Sequence, residues 1–200
     1  MSFNDDLELA EAAKPIQDKV YRYIFGDDLM NIKRFSKEER HVLDIEYHID
    51  IELEFINGIK LLGQEKALRY KFIDFNTYTI EFYQNRRTKE KGEFFNLGAQ
   101  FFLHGYLNGN EPEEITKFSK CYFIKIFDFL EWLKNKPIEL LEKQTRPSTS
   151  RASFYYIKYN KIPKEFIYWD SENNKDLIKK NYLDFNVNNN SKQSKLFEGI

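Results

Sequence analysis

Hydrophobic and polar positions alternate between Tyr47 and Phe55. Tyr47, Ile49, Ile51, Leu53 and Phe55 fall on one face, and His48, Asp50, Glu52 and Glu54 on the other. That period predicts a half-buried strand. Asn57-Gly58 follows, a pair that tolerates φ > 0 and predicts a two-residue hairpin with a return strand over residues 59–70. TYTIEFY, residues 77–83, is β-branched and aromatic and reads as a third strand. GEFFNLGAQFFLHGYL, residues 92–107, is apolar nearly all round and predicts a buried helix. Residues 120–126 (KCYFIKI) and 154–159 read as further strands. Upstream, Pro15 suits a helical first turn, Ile16, Val20 and Ile24 recur at helical spacing, and Gly26 can end that helix. Ser36 and Glu39 fit a capping box for a short helix to about residue 44. Short helices are expected over residues 128–134 and 138–143, and a loose Asn/Ser/Lys-rich tail from residue 185.

Helix, three successive strands, buried helix and strand make an α/β chain: a mixed central β-sheet flanked by helices. An α+β domain with helices on one face is the alternative. The 200 residues suit one domain, and no internal repeat or interior linker divides them. Hydrophobic residues at 42% support a real core. Cys121 stands alone in an apolar run, so no disulfide framework can form within the chain. The acidic amino terminus lacks a signal-peptide region, and no run of about 18 apolar residues occurs. A cytoplasmic protein without a membrane segment is therefore expected. The net charge of −1 is low for a nucleic-acid binder, but its distribution is uneven. The first 50 residues carry 12 acids and 7 Lys or Arg, whereas residues 131–200 carry 9 acids and 13 Lys or Arg.

The densest chemistry lies around the hairpin. Asp50 falls on one strand and Gln64-Glu65-Lys66 on its partner. With TYTIEFY and GEFFNLGAQFFLHGY behind them, these residues resemble the core of the PD-(D/E)xK nuclease superfamily, over residues 35–126. The resemblance implies a restriction-endonuclease-like fold and a Mg²⁺-dependent DNA endonuclease, with Mn²⁺ able to substitute. It implies that Asp50 is the metal-binding acid, that Gln64 takes the second acid's place, and that Lys66 is the motif lysine. Gln64 brings an amide oxygen but no charge, so Glu52, or Glu38 or Glu39, would complete the metal site, with the backbone carbonyl of Glu65 contributing beside it. A type II restriction enzyme acting as a homodimer on double-stranded DNA follows from the same resemblance. A repair or junction-resolving nuclease and a non-catalytic nucleic-acid-binding domain are the alternatives.

A two-residue turn creates a conflict. It sets Asp50 opposite Glu65 and sends Gln64 and Lys66 to the other face. A bulge at Gly63, or an equivalent break in pairing, is expected to bring them back. Phosphate contacts are expected from the basic stretch with Arg86, Arg87 and Lys89, and from Arg151 and Lys158 in the aromatic-basic segment within residues 144–182. That segment could alternatively serve a dimer. His104 reads as a core histidine, and Glu81 as an acid able to approach the site or to form a cross-strand ion pair.

Overall fold

The computed structural model describes residues 3–35, 47–136, 142–144, 152–173 and 182–185. The helix expected over residues 36–44, Glu38 and Glu39, Arg151 and most of the tail fall outside them. The architecture is mixed α/β, built on two sheets. Helix α1 (Phe3–Phe25) leads into strand β1 (Leu29–Arg34). Strands β2 (Ile51–Phe55), β3 (Lys60–Leu68), β6 (Phe101–Leu107), β7 (Phe118–Lys125) and β10 (Ile167–Asp170) join β1 in a six-stranded sheet, in the order β1-β2-β3-β6-β7-β10. Only β3 and β6 run parallel; every other neighbouring pair in it is antiparallel. A second sheet has the order β5-β4-β9-β8, from β4 (Thr77–Asn85), β5 (Glu90–Lys91), β8 (Glu142–Gln144) and β9 (Ser153–Lys158). Helix α2 (Glu93–Asn96) is a single turn, and α3 (Ile126–Lys134) follows β7. No described helix is long and apolar enough to cross a membrane.

Two cores separate three layers. On one face of the six-stranded sheet, Tyr21, Ile24 and Phe25 of α1 pack on Ile51, Leu53, Phe55, Leu61, Phe101 and Phe123. On the other, Phe102, Tyr106 and Ile124 meet Tyr78, Ile80 and Phe82 of β4, Tyr155 of β9 and Phe129 of α3. Strand β6 is therefore covered on both sides, and all seven of its residues are buried.

That double burial corrects the helix expected over residues 92–107. A strand with two apolar faces reads as a continuous apolar run, and periodicity does not separate it from a buried helix. The third expected strand exists as β4, but it pairs with β9 in the second sheet rather than continuing the central meander. The first helix begins at Phe3, not Pro15. Leu9, Ala13 and Ile16 are buried in one cluster, so apolar contacts continue across the proline. Gly26, at φ +61°, closes the helix as expected. Glu142–Gln144 is strand, not the end of a helix.

The alternation from residue 47 holds only from Ile51. His48 adopts φ +50°, and Ile49 turns into the core between the sheets while Ile51 stays against α1.

Candidate functional site

The hairpin after β2 sets the site's geometry. Its loop holds three residues, Ile56, Asn57 and Gly58, because the Phe55 N–H donates to the Ile59 carbonyl (2.9 Å) and the Gly58 N–H to the Phe55 carbonyl (2.8 Å). Gly58 supplies the left-handed residue at φ +77°. A three-residue loop shifts the register by one from the expected pairing. Ile51 then partners Gly63, and the pairing is regular back to Glu54 and Lys60. No bulge is needed to bring Gln64 round. Gly63 has a different reason: a Cβ there would lie 2.0 Å from the ring of Phe101, its partner on β6. The strands separate just beyond. The Asp50 N–H donates to the Gly63 carbonyl (2.9 Å), and Asp50 Oδ2 accepts from the Glu65 N–H (2.9 Å).

With Ile51, Leu53 and Phe55 buried against α1, Glu52 and Glu54 turn to the opposite face. Gln64 and Lys66 share that face with Leu62, which packs into the core between the sheets. Asp50 lies at the break in alternation, and its carboxylate is held on the backbone N–H between Gln64 and Lys66. The Glu65 carboxylate lies on the α1 side of the sheet, where it accepts from Tyr21 Oη (2.9 Å) and from Arg34 Nε and Nη2 (3.0 and 3.1 Å). Burial raises the Glu65 carboxyl, opposed by the Arg34 charge and hydrogen bonds; burial pulls Arg34 down, yet the Glu65 carboxylate leaves it raised overall. The Glu65 carboxylate is thus structural, and of this residue only the backbone carbonyl is left as a donor beside Asp50. Glu52 stands on the Gln64 face but pairs with Lys60 (2.8 Å).

Two acids join from the second sheet and its connection. Gln64 Nε2 donates to Glu93 Oε1, and the Glu81 N–H donates to Glu93 Oε2 (3.3 Å). Lys66 Nζ reaches Thr79 Oγ1 (3.4 Å). Burial raises the Glu81 carboxyl, and Glu93 raises it further, against His48 and Lys66. His48, Asp50, Gln64, Lys66, Thr79, Glu81 and Glu93 are all half-buried. The result is a cluster of polar side chains between β3 and β4. Glu93 was hidden from sequence reasoning inside the misread helix. Its signal was that it is the only Asp, Glu, Lys or Arg in residues 92–107.

The expected DNA contacts do not converge. Arg86, Arg87 and Lys89 occupy the β4–β5 loop, where Asn85 Oδ1 accepts from the Arg87 N–H (3.1 Å). Lys158 pairs with Thr77 at the other end of β4, roughly 26 Å away by strand rise. There it lines a cleft of about 410 Å³ with Lys120, Asp74 and Asn76.

Among the described residues, no group of three or more His, Cys, Asp or Glu side chains is arranged to hold a metal ion. The metal-binding atoms that Asp50, Gln64, Glu81 and Glu93 offer are hard oxygens, however. A Mg²⁺ site uses one or two carboxylates and completes its shell with water and substrate phosphate, so a three-acid cage is not required. No family model, curated protein or solved structure matches the chain.

Proposed function

We propose that the chain is a divalent-cation-dependent nuclease that hydrolyses phosphodiester bonds of DNA, with its active site at the polar cluster between β3 and β4. The observation that carries this reading is the contact of Asp50 with the Glu65 N–H, between Gln64 and Lys66, which share one face, with Glu93 held on Gln64. Glu93 offers the carboxylate that Gln64 lacks. Asp50 and Glu93, with the amide oxygen of Gln64, are the groups that would hold the cation. When bound, such an ion neutralises phosphate charge and acidifies a coordinated water. Asp50 is fixed for this by the Glu65 N–H. The Lys66 ammonium, steadied by Thr79, faces the same space and can stabilise the negative charge that builds on the phosphate. Glu81 lies near enough to Lys66 and Glu93 to share their field.

Restriction-type cleavage of both strands requires a second active site, which a two-fold homodimer would supply. The Gln64 amide is also what favours the other reading, a nucleic-acid-binding domain without catalysis. One experiment separates them: plasmid and linear mixed-sequence DNA, with and without Mg²⁺ or Mn²⁺, using wild type, Asp50→Ala, Lys66→Ala and Glu93→Gln. Cation-dependent cleavage by wild type, reduced about 10²–10⁴-fold in Lys66→Ala, is the expected result. Intact DNA in every lane, with binding retained, supports the non-catalytic domain.

A further inference from the structure

His104 is 1% exposed and lies in the middle of β6, between Lys66 on β3 and Tyr122 on β7, its partners in register. Its ring is fixed on several sides. It stacks with Phe102 at 5.7 Å, meets Tyr106 edge-on at 5.0 Å, and lies 5.5 Å from the Tyr159 ring. Nδ1 is 2.6 Å from Tyr159 Oη, and Tyr159 in turn stacks on Tyr122 at 3.7 Å. The tyrosine anchor therefore stands on the β7 side of the ring. Nε2, across the ring from Nδ1, is buried and has no hydrogen-bond partner among the described residues. Lys66, on the β3 side and the same face, is the charged neighbour of this ring. Burial, and then the Lys66 charge, hold the imidazole well below its ordinary proton affinity, so it is neutral.

An ammonium carries three donors and no acceptor. It selects the tautomer whose lone pair faces it. Nδ1–H then donates to Tyr159 Oη, and Nε2 is left as an acceptor. We infer that His104 is a positioning residue for Lys66: pinned by Tyr159 and its aromatic neighbours, it holds an unprotonated Nε2 whose partial negative charge attracts the Lys66 ammonium across a gap longer than a hydrogen bond. The geometric part of this inference stands without any activity; its catalytic consequence rests on the nuclease reading.

The test is the ¹⁵N spectrum of histidine-labelled protein. The chain has three histidines, and His41→Gln and His48→Gln assign the His104 signals. The expected result is a protonated Nδ1 and an unprotonated Nε2 whose resonance moves in Lys66→Met while Nδ1 stays. A protonated Nε2, or an Nε2 signal indifferent to Lys66→Met, overturns the inference. Tyr159→Phe keeps the stacked ring but removes the anchor, so it tests the pinning without emptying the core. Mixed tautomers are expected there, with kcat for DNA cleavage lowered about fivefold, the equivalent of one ordinary hydrogen bond, and KM within about twofold. A raised KM with kcat unchanged overturns the positioning role. Failure of wild type to cleave removes the nuclease reading and leaves the spectrum to decide the geometry.

Discussion

Adjacent side chains on β3 have opposite duties. Gln64 and Lys66 face the second sheet, while Glu65 between them is buried with Arg34 and Tyr21. Removing Glu65 takes one partner from Arg34 but leaves it paired with Asp18 (2.8 Å), so the cost stays below that of an uncompensated buried charge, at about 1–3 kcal/mol. Glu65→Ala should lose stability on that scale in urea denaturation. The specific activity of the protein that remains folded should persist, whereas a ligand's loss would abolish it. That Gln64 and Lys66 share a face was legible in their spacing, but which face of the sheet takes the Glu65 carboxylate was not. A period-two pattern names the two faces of a strand; which face meets the neighbour's acid depends on the loop between them, and one extra loop residue exchanges every side chain.

At the scale of elements, the glycines separate close approach from backbone freedom. Gly63 lies under the Phe101 ring, whereas Gly58 has no atom near its Cβ position and needs only its φ of +77°. Gly58→Ala should therefore cost about 1–2 kcal/mol of left-handed strain. Gly63→Ala forces Phe101 to move, at about 1–3 kcal/mol or more. The two are distinguished by a double mutant: Phe101→Leu should recover part of the Gly63→Ala loss and none of the Gly58→Ala loss in thermal unfolding. Strands β2, β3, β4, β7 and β9 were legible because alternation or β-rich composition survives in each. Strand β6 was not, since a strand covered on both faces has lost the polar half of its pattern. Strands β1 and β10 complete the sheet's two edges; β1 is largely exposed and lacks alternation of period two, and β10 is only four residues long, too short for its Ile-Tyr-Trp run to show a period.

For the whole molecule, the decisive quantity is the sign of the field between the two sheets. Asp50, Glu81 and Glu93 outnumber Lys66 there, although the chain's net charge is only −1. The raised Glu81 carboxyl reflects burial first and Glu93 second. For an acid raised on folding, the stabilising contribution is full below its ordinary value and is lost as pH rises through the folded value. At pH 7 ionised Glu81 is therefore a liability, discounted because the side chain is partly solvated. Glu81→Gln should raise Tm at pH 7 by on the order of 1 °C, and the gain should vanish near pH 4. The same excess of negative charge repels a phosphate backbone until a cation intervenes. DNA binding followed by fluorescence anisotropy should thus be weak in EDTA and restored by Ca²⁺, which occupies oxygen sites of this kind. Glu93→Gln should weaken that dependence, since it removes one unit of the repulsion along with one of the proposed ligands. Tight binding in EDTA that Ca²⁺ leaves unchanged would mean that DNA is held elsewhere, as by Arg86, Arg87 and Lys89, and that the acids between the sheets play no part in receiving it.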